Sequence, residues 1–400
     1  MAEPKPADCH ILSVVIPTCN RSQYLESVVR SILTTCSNTE IIVSDNSDTD
    51  ALRSTLACDI AAGRVIYSFH AEPLSVVDNF ERARRMANGE YLLFIGDDDT
   101  VGPGIEDVCR WAKTHDVDAV VSYRTKFLAN YFWPGVKSKY FGDKYSATLF
   151  INRFSGKAWP IDGKKQIAKI CDRPGAGLGA MPRAYHGILS KQLADAIADK
   201  YGSLFGGVSP DIYSATLISH EARRPHVVDY PFVVPGGSPV STAGQGAARL
   251  DMGDFNAVDH IRRFGSGLVW DARIPKFYSP TTVWAYSLQK ALDRLPEGPK
   301  EINYPGLYLK CAVRYHSQQA HIRQSFRQWM ASTGSPMSLC MKAIHSSFIE
   351  SCLFVYRQWN RFGPNKPLEV RPLENIEEAS AALNRHVRDI RLDGRVSLRP

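Results

Sequence analysis

The chain has 400 residues, 44% of them hydrophobic and 22% charged, with a formal net charge of +7. This is the balance of an ordinary globular protein with room for two or three domains. No run of about 18 uninterrupted apolar residues is present, so no membrane-spanning helix is expected. The nine cysteines are scattered and odd in number, and no two form a Cys-x-x-Cys pair. The start, Met1-Ala-Glu-Pro-Lys-Pro, lacks the apolar stretch of a secretory signal. A cytoplasmic protein with free thiols is the expectation. The modest positive charge permits an acidic substrate or an anionic membrane surface, and no nucleic-acid partner is expected.

In chain order, residues 1–10 read as an N-terminal tail. Ile11 to Ile16 is a short apolar run ended by Pro17, the pattern of a buried strand. Tyr24, Leu25, Val28, Val29, Ile32 and Leu33 then recur at helical spacing. Glu40 to Ser44 is a second strand, closed by the polar Asp45-Asn46-Ser47-Asp48. Val65 to Phe69 is a third, followed by a helix through Phe80, Ala83 and Met86 that Gly89 breaks. Tyr91 to Ile95 makes a fourth strand and Ala119 to Tyr123 a fifth. Strands separated by segments of helical length indicate βαβ units and a mainly parallel central sheet flanked by helices.

From Thr125 to Gly187 the pattern weakens into aromatic and Gly-rich stretches, and helices resume at Lys191 and after Pro210. Residues 236–250 hold Gly236-Gly237-Ser238-Pro239 and Gly244-Gln245-Gly246, and read as a lid over a site or as a linker. The core unit is thus 11–235, followed by a mostly helical C-terminal region over 251–366 and a charged tail over 367–400.

The chemistry concentrates in Leu92-Leu93-Phe94-Ile95-Gly96-Asp97-Asp98-Asp99. A buried strand opening into three carboxylates puts a hard-cation site at the carboxyl edge of a sheet, where open α/β sheets bind ligands. Anions this close repel one another unless a cation or strong donors neutralise them. Oxygen-only ligands suit Mn2+ or Mg2+, which often bridge carboxylates to substrate phosphates. The bland alternative is a solvated acidic turn ahead of the helix after Pro103. Three more segments belong to the same edge: Val14-Val15-Ile16-Pro17-Thr18-Cys19-Asn20-Arg21, Ile41 to Asp50, and Asn79-Phe80-Glu81-Arg82-Ala83 on the helix leading to Asn88-Gly89-Glu90-Tyr91.

This order of segments resembles the family 2 glycosyltransferases, with their nucleotide-sugar-binding GT-A fold, over roughly Ile11 to Val234. The match is strong up to Pro103 and thin afterwards. It implies a metal-dependent, inverting transfer of a sugar from a nucleoside diphosphate sugar, UDP- or dTDP-type favoured, to a hydroxyl of a saccharide or lipid-linked saccharide. Surface polysaccharide or lipopolysaccharide synthesis is the implied setting. By the resemblance, Pro17, Thr18, Asn20 and Arg21 line the nucleotide pocket with Asn79, and Asp45 bonds the base. Asn46 stands where the family more often has aspartate or glycine. Asp97, Asp98 and Asp99 fall to the cation, Asp97 in one register to the ribose instead.

The acceptor hydroxyl needs a base, since a neutral alcohol is a poor nucleophile. The resemblance points to a carboxylate late in the core, and Asp211, after Gly206-Gly207-Val208-Ser209-Pro210 near a helix start, is the candidate. Asp172 and Asp229 are further candidates, and the family's usual Glu-Asp pair is absent. His186, His220, His226 and His260 have no metal-ligand spacing and read as structural.

Rival readings differ in what they require. A sugar nucleotidyltransferase needs a Gly-rich phosphate loop after the first strand, and a nicotinamide dehydrogenase needs G-x-G-x-x-G; neither is present. A catalytically silent scaffold that binds nucleotide sugar or glycan stays open. Near the C-terminus, Met337, Cys340, Ile344, Phe348, Cys352 and Val355 form an apolar helical stripe amid Arg314, Arg323, Arg327, Lys342, Arg357 and Arg361. Such a helix either docks peripherally at the inner face of the cytoplasmic membrane or packs its stripe against the core.

Overall fold

The computed structural model describes residues 10–122, 127–139, 142–248, 253–256, 258–299, 301–333, 349–352, 355–356, 359 and 366–389. Strands β1 (Leu12–Thr18), β2 (Thr39–Asp45), β3 (Val65–Phe69) and β4 (Tyr91–Phe94) pair in parallel in the spatial order β3-β2-β1-β4. On β1, Leu12, Val14 and Ile16 enter one core layer and Val15 the other, which is why the strand reads as an unbroken apolar run. The helix Ser22–Thr35 covers the first layer with Leu25, Val28, Val29 and Ile32. The helix Val76–Met86 covers the second with Val77, Phe80 and Ala83, and Ser75 caps it by accepting from Asp78 N at 3.3 Å.

β1 lies between β2 and β4, so the strand order reverses there and the crevice beyond its carboxyl end is the sheet's switch point. The register Thr18↔Asp45 brings the turns after β1 and β2 level at that crevice.

The strands continue with β5 (Thr100–Val101), β6 (Ala119–Val121), β7 (Ala129–Phe132), β8 (Thr148–Ile151), β9 (Ala158–Pro160), β10 (Gly187–Ser190) and β11 (Pro225–Val228). The large sheet extends β4-β10-β6-β11-β9, with β10 antiparallel to both neighbours and β9 antiparallel to β11. The expected parallel sheet therefore holds for the first four strands, and the second half is mixed. The cause is the route of the chain: β10 is entered from the loop before it, whose Gly175–Gly179, Tyr185 and His186 already line the ligand edge.

Three short strands complete the set: β12 (Val233–Val234), β13 (Gly236–Gly237) and β14 (Leu368–Val370). β13 pairs with β7, and Thr242–Ala248 is helical, so the Gly-rich segment is a built wall rather than a linker. The described part of the charged tail, residues 367–389, is also anchored. β14 pairs antiparallel with β8, and the helix Ile376–Asp389 buries Ile376, Ala379 and Leu383 in the same layer as Leu12. Tyr131 Oη donates to Leu373 O at 2.8 Å. The mixed charges concealed a helical stripe at i, i+3 and i+7.

In the C-terminal region the helices Pro280–Leu292, Tyr304–Arg314 and Gln319–Thr333 share a core layer with the helix Pro210–Glu221. Met337, Cys340, Lys342, Ile344, Phe348, Arg357 and Arg361 lie outside the described residues, while Cys352 and Val355 are exposed. Among the described residues no helix is long and apolar enough to cross a membrane.

Candidate active site

Beyond the carboxyl edge lies one cavity of about 1440 Å3. The turn after β4 folds Asp97, Asp98 and Asp99 into its wall, and all three are buried. Protein donors surround them. Asp97 accepts from Thr18 Oγ1 at 2.7 Å and from Arg21 Nη1 at 3.1 Å. Asp98 accepts from Ser238 N at 2.9 Å. Asp99 accepts from Gly96 N, Gly236 N and His186 Nε2, each at 2.6 Å, and from Tyr185 Oη at 3.1 Å. A solvated acidic turn is ruled out by this burial.

Burial pushes Asp97 up to about 6, against the pull of Arg21 and with the push of Asp98. Burial and the Asp99 charge raise Asp98 as well. Asp99 is held below the usual carboxylate range, because His186 and the amides of Gly236 and Gly96 outweigh its burial. Burial and the Asp99 charge raise Tyr185, which keeps its proton and stays a donor. His186 itself sits at φ 61°, a conformation that costs a non-glycine residue energy and is typical of functional sites.

Among the described residues no three His, Cys, Asp or Glu side chains form a ready-made metal cage. The reason is local: both oxygens of Asp97 and of Asp99 accept hydrogen bonds, and Asp98 alone keeps Oδ1 outside them. A donor set of one carboxylate oxygen in a polar cavity fits an Mn2+ or Mg2+ ion that takes its other ligands from phosphates and water. It does not fit a permanently caged metal. Of the three aspartates, Asp98 alone has a carboxylate oxygen outside these hydrogen bonds.

The turns after β1 and β2 interlock. Asn20, exposed on the rim at φ 57°, donates its N–H to Ser47 Oγ at 2.8 Å and Nδ2 to Asp48 at 3.1 Å. Pro17, Thr18, Arg21, Asn46 and Asn79 line the cavity. Asn79 braces the strand ends, donating to Thr18 O and Ser44 O at 3.2 Å and accepting from Ser44 Oγ at 2.7 Å. Asp45 differs from expectation. It is fully buried, accepting from Ser47 N at 2.9 Å and Tyr67 Oη at 2.8 Å, so its carboxylate closes its own turn.

Asp211 sits in the first turn of the helix Pro210–Glu221 and lines the same cavity. Its Oδ1 accepts from Ile212 N at 2.8 Å and from Ser209 Oγ, and Oδ2 is outside these bonds. The other base candidates are elsewhere: Asp172 is exposed at a helix end, and Asp229 is buried under Ser155, whose N–H and hydroxyl it accepts. His220 pairs with Glu221 and His226 with Arg224 O, and neither lines the cavity. His260 lines the cavity near Asp211 with Nε2 on Val208 O at 2.7 Å, and burial lowers its pKa. His186, Ser238, His260 and Arg263 entered this site without any spacing that marks them.

The architecture is a mixed α/β sheet flanked by helices, with the ends of β1 and β4 lining one large cavity. The glycosyl transferase family 2 model matches residues 13–163 of this chain. No curated protein matches the chain by sequence. Among solved structures it is similar to S. aureus TarS, 16% identical over 79% of this chain and 54% of that one, with a TM-score of 0.42. TarS 1-349 in complex with UDP-GlcNAc is likewise 16% identical, over 79% of this chain and 91% of that one, at 0.45. The mannosyltransferase PcManGT from Pyrobaculum calidifontis, in complex with GDP-Man and Mn2+, is 13% identical over 94% and 86%, at 0.41.

Proposed function

We propose that the protein transfers a sugar from a nucleoside diphosphate sugar to a hydroxyl acceptor with inversion at the sugar carbon. One observation carries this reading: the aspartate turn and Asp211 line the same cavity. The turns after β1 and β2 hold the nucleotide, and Arg21, braced by Asp97, stands beside its charged portion. Asp98 would hold a divalent ion, which when bound supplies Lewis-acid stabilisation of the departing diphosphate. Asp211 Oδ2 takes the acceptor's proton as its oxygen attacks the face opposite the leaving group. Gly236 and Ser238 close the aspartate turn and keep water from it. The donor is UDP- or dTDP-linked, and the product belongs to a surface polysaccharide or lipopolysaccharide made on the cytoplasmic side.

The test is a panel of nucleoside diphosphates screened for thermal stabilisation with Mn2+, followed by NMR of the product anomer. Stabilisation tracks affinity by mass action. UDP or dTDP should raise Tm, and the product anomer should be opposite to the donor's. A panel with no stabilising member, or a retained anomer, would overturn the reading.

A further inference from the structure

Both polar side chains at the end of β2 are committed to the protein itself. Asp45 closes its own turn, as described above. Asn46 donates Nδ2 to His70 O and Glu72 O, both at 2.8 Å, and its Oδ1 accepts from Leu74 N at 2.8 Å. The end of the cavity expected to hold the nucleobase therefore has no β2 carboxylate presented to it, and the carboxylate that does line the cavity beside it, Asp259, is already engaged by Arg262 and Arg263. What this end has is a guanidinium from far along the chain.

Arg263 follows the short helix Asp259–Arg262 and reaches back over this end of the cavity. Two of its nitrogens are fixed. Nε donates to Asp259 Oδ2 at 2.9 Å, and Nη1 donates to Asn46 Oδ1 at 3.0 Å and Asn46 O at 3.4 Å. Among the described residues Nη2 makes no hydrogen bond, and Asp48 Oδ1 lies 3.6 Å from it, beyond hydrogen-bond length. The side chain is 14% exposed, so the group is largely desolvated and already oriented. A guanidinium has five N–H donors and no acceptor, and its planar fork loses little entropy on binding.

We infer that Arg263 reads the nucleobase of the donor, donating from Nη2 to a keto oxygen and rejecting bases that present an amino group there. The inference rests on the nucleoside diphosphate reading of the cavity, and it deepens that reading. It assigns base selection to a residue one hundred positions beyond the segment that matches the family. It also makes the C-terminal region part of the donor pocket. An unpaired donor facing another donor is costly in a desolvated site, which is the source of the discrimination.

Calorimetric titration of the full chain with UDP against CDP, and GDP against ADP, tests this directly, since each pair exchanges a keto oxygen for an amino group. Wild type should prefer the keto member of the pair that it binds. Arg263→Met should weaken that member by roughly tenfold to hundredfold, leave the amino member nearly unchanged and bring their ratio towards one. Arg263→Lys, which keeps the charge but loses the fork, should recover part of the ratio and serves if the Met variant folds poorly. An equal loss for both members would assign Arg263 a purely structural role and overturn the inference, as would an unchanged ratio. If no nucleoside diphosphate binds wild type, the donor reading falls first and takes this one with it.

Discussion

The two walls of the cavity are encoded in different ways. One wall comes from the turns after β1, β2 and β4, and its lining falls in short strings: Pro17 to Cys19 with Arg21, Asn46, and Asp97 to Asp99. The rest of the lining is assembled from Gly175–Gly179, Pro280–Trp284 and Leu309–Arg314, segments scattered over more than a hundred residues. A strand end fixes where the next few side chains point, so chemistry there needs particular residues in sequence. A wall built from packed helices needs only an apolar face behind it and a few groups in front. One wall is a string of motifs and the other a fold-dependent surface.

The sharpest way to separate the walls is Asp211→Asn. Loss of a positioned base should lower kcat by about 10²- to 10⁴-fold while nucleotide affinity holds. Rates within tenfold of wild type would move the base elsewhere. Next is Gly236→Ala on the donor side. A Cβ there would lie 1.7 Å from the Asp98 carbonyl oxygen, a backbone atom that cannot swing away. The variant should lose about 1–3 kcal/mol of stability and weaken nucleotide binding, read by denaturant unfolding and calorimetry. A fully stable variant would show that this strand is not held against the aspartate turn.

In the rest of the lining, Trp284→Ala removes an aromatic face beside Gly177. The acceptor KM should rise by roughly three- to tenfold with donor affinity unchanged. Equal effects on both substrates would blur the division of the walls. The smallest expected effect lies outside the cavity. Glu221 is held near pKa 2: burial raises it, but Lys200, Tyr201 and His220 outweigh that. A depressed carboxylate adds stability above its unfolded pKa of about 4.5 and loses it as pH falls towards 2. Glu221→Gln should therefore flatten the fall of Tm between pH 4.5 and 2, and a Tm profile parallel to wild type would refute the assignment.

The same contrast explains how much of the molecule the sequence discloses. The first four strands and the covering helices follow from apolar runs and helical spacing, because a strand buried on both faces must be continuously apolar. The reversal at β10 has no such signature, since antiparallel and parallel strands of four residues look alike. The helix at Ile376–Asp389 hides behind its charges, although Ile376, Ala379 and Leu383 mark its buried side. In the site, the aspartate triplet, Thr18 and Arg21 are legible as neighbours of strand ends. Asp45 misleads for a physical reason: an aspartate ending a strand can satisfy its own turn as readily as a ligand. His186 and Arg263 are brought in by long-range packing, and no local pattern announces them.

The central claim is that the buried aspartate turn binds a nucleoside diphosphate together with a divalent ion. Titrating UDP into wild type and Asp98→Ala, each with and without Mn2+, tests it most directly. Mn2+ should strengthen UDP binding to wild type and have no effect on the variant. Equal Mn2+-dependent affinity in the two proteins would contradict the account.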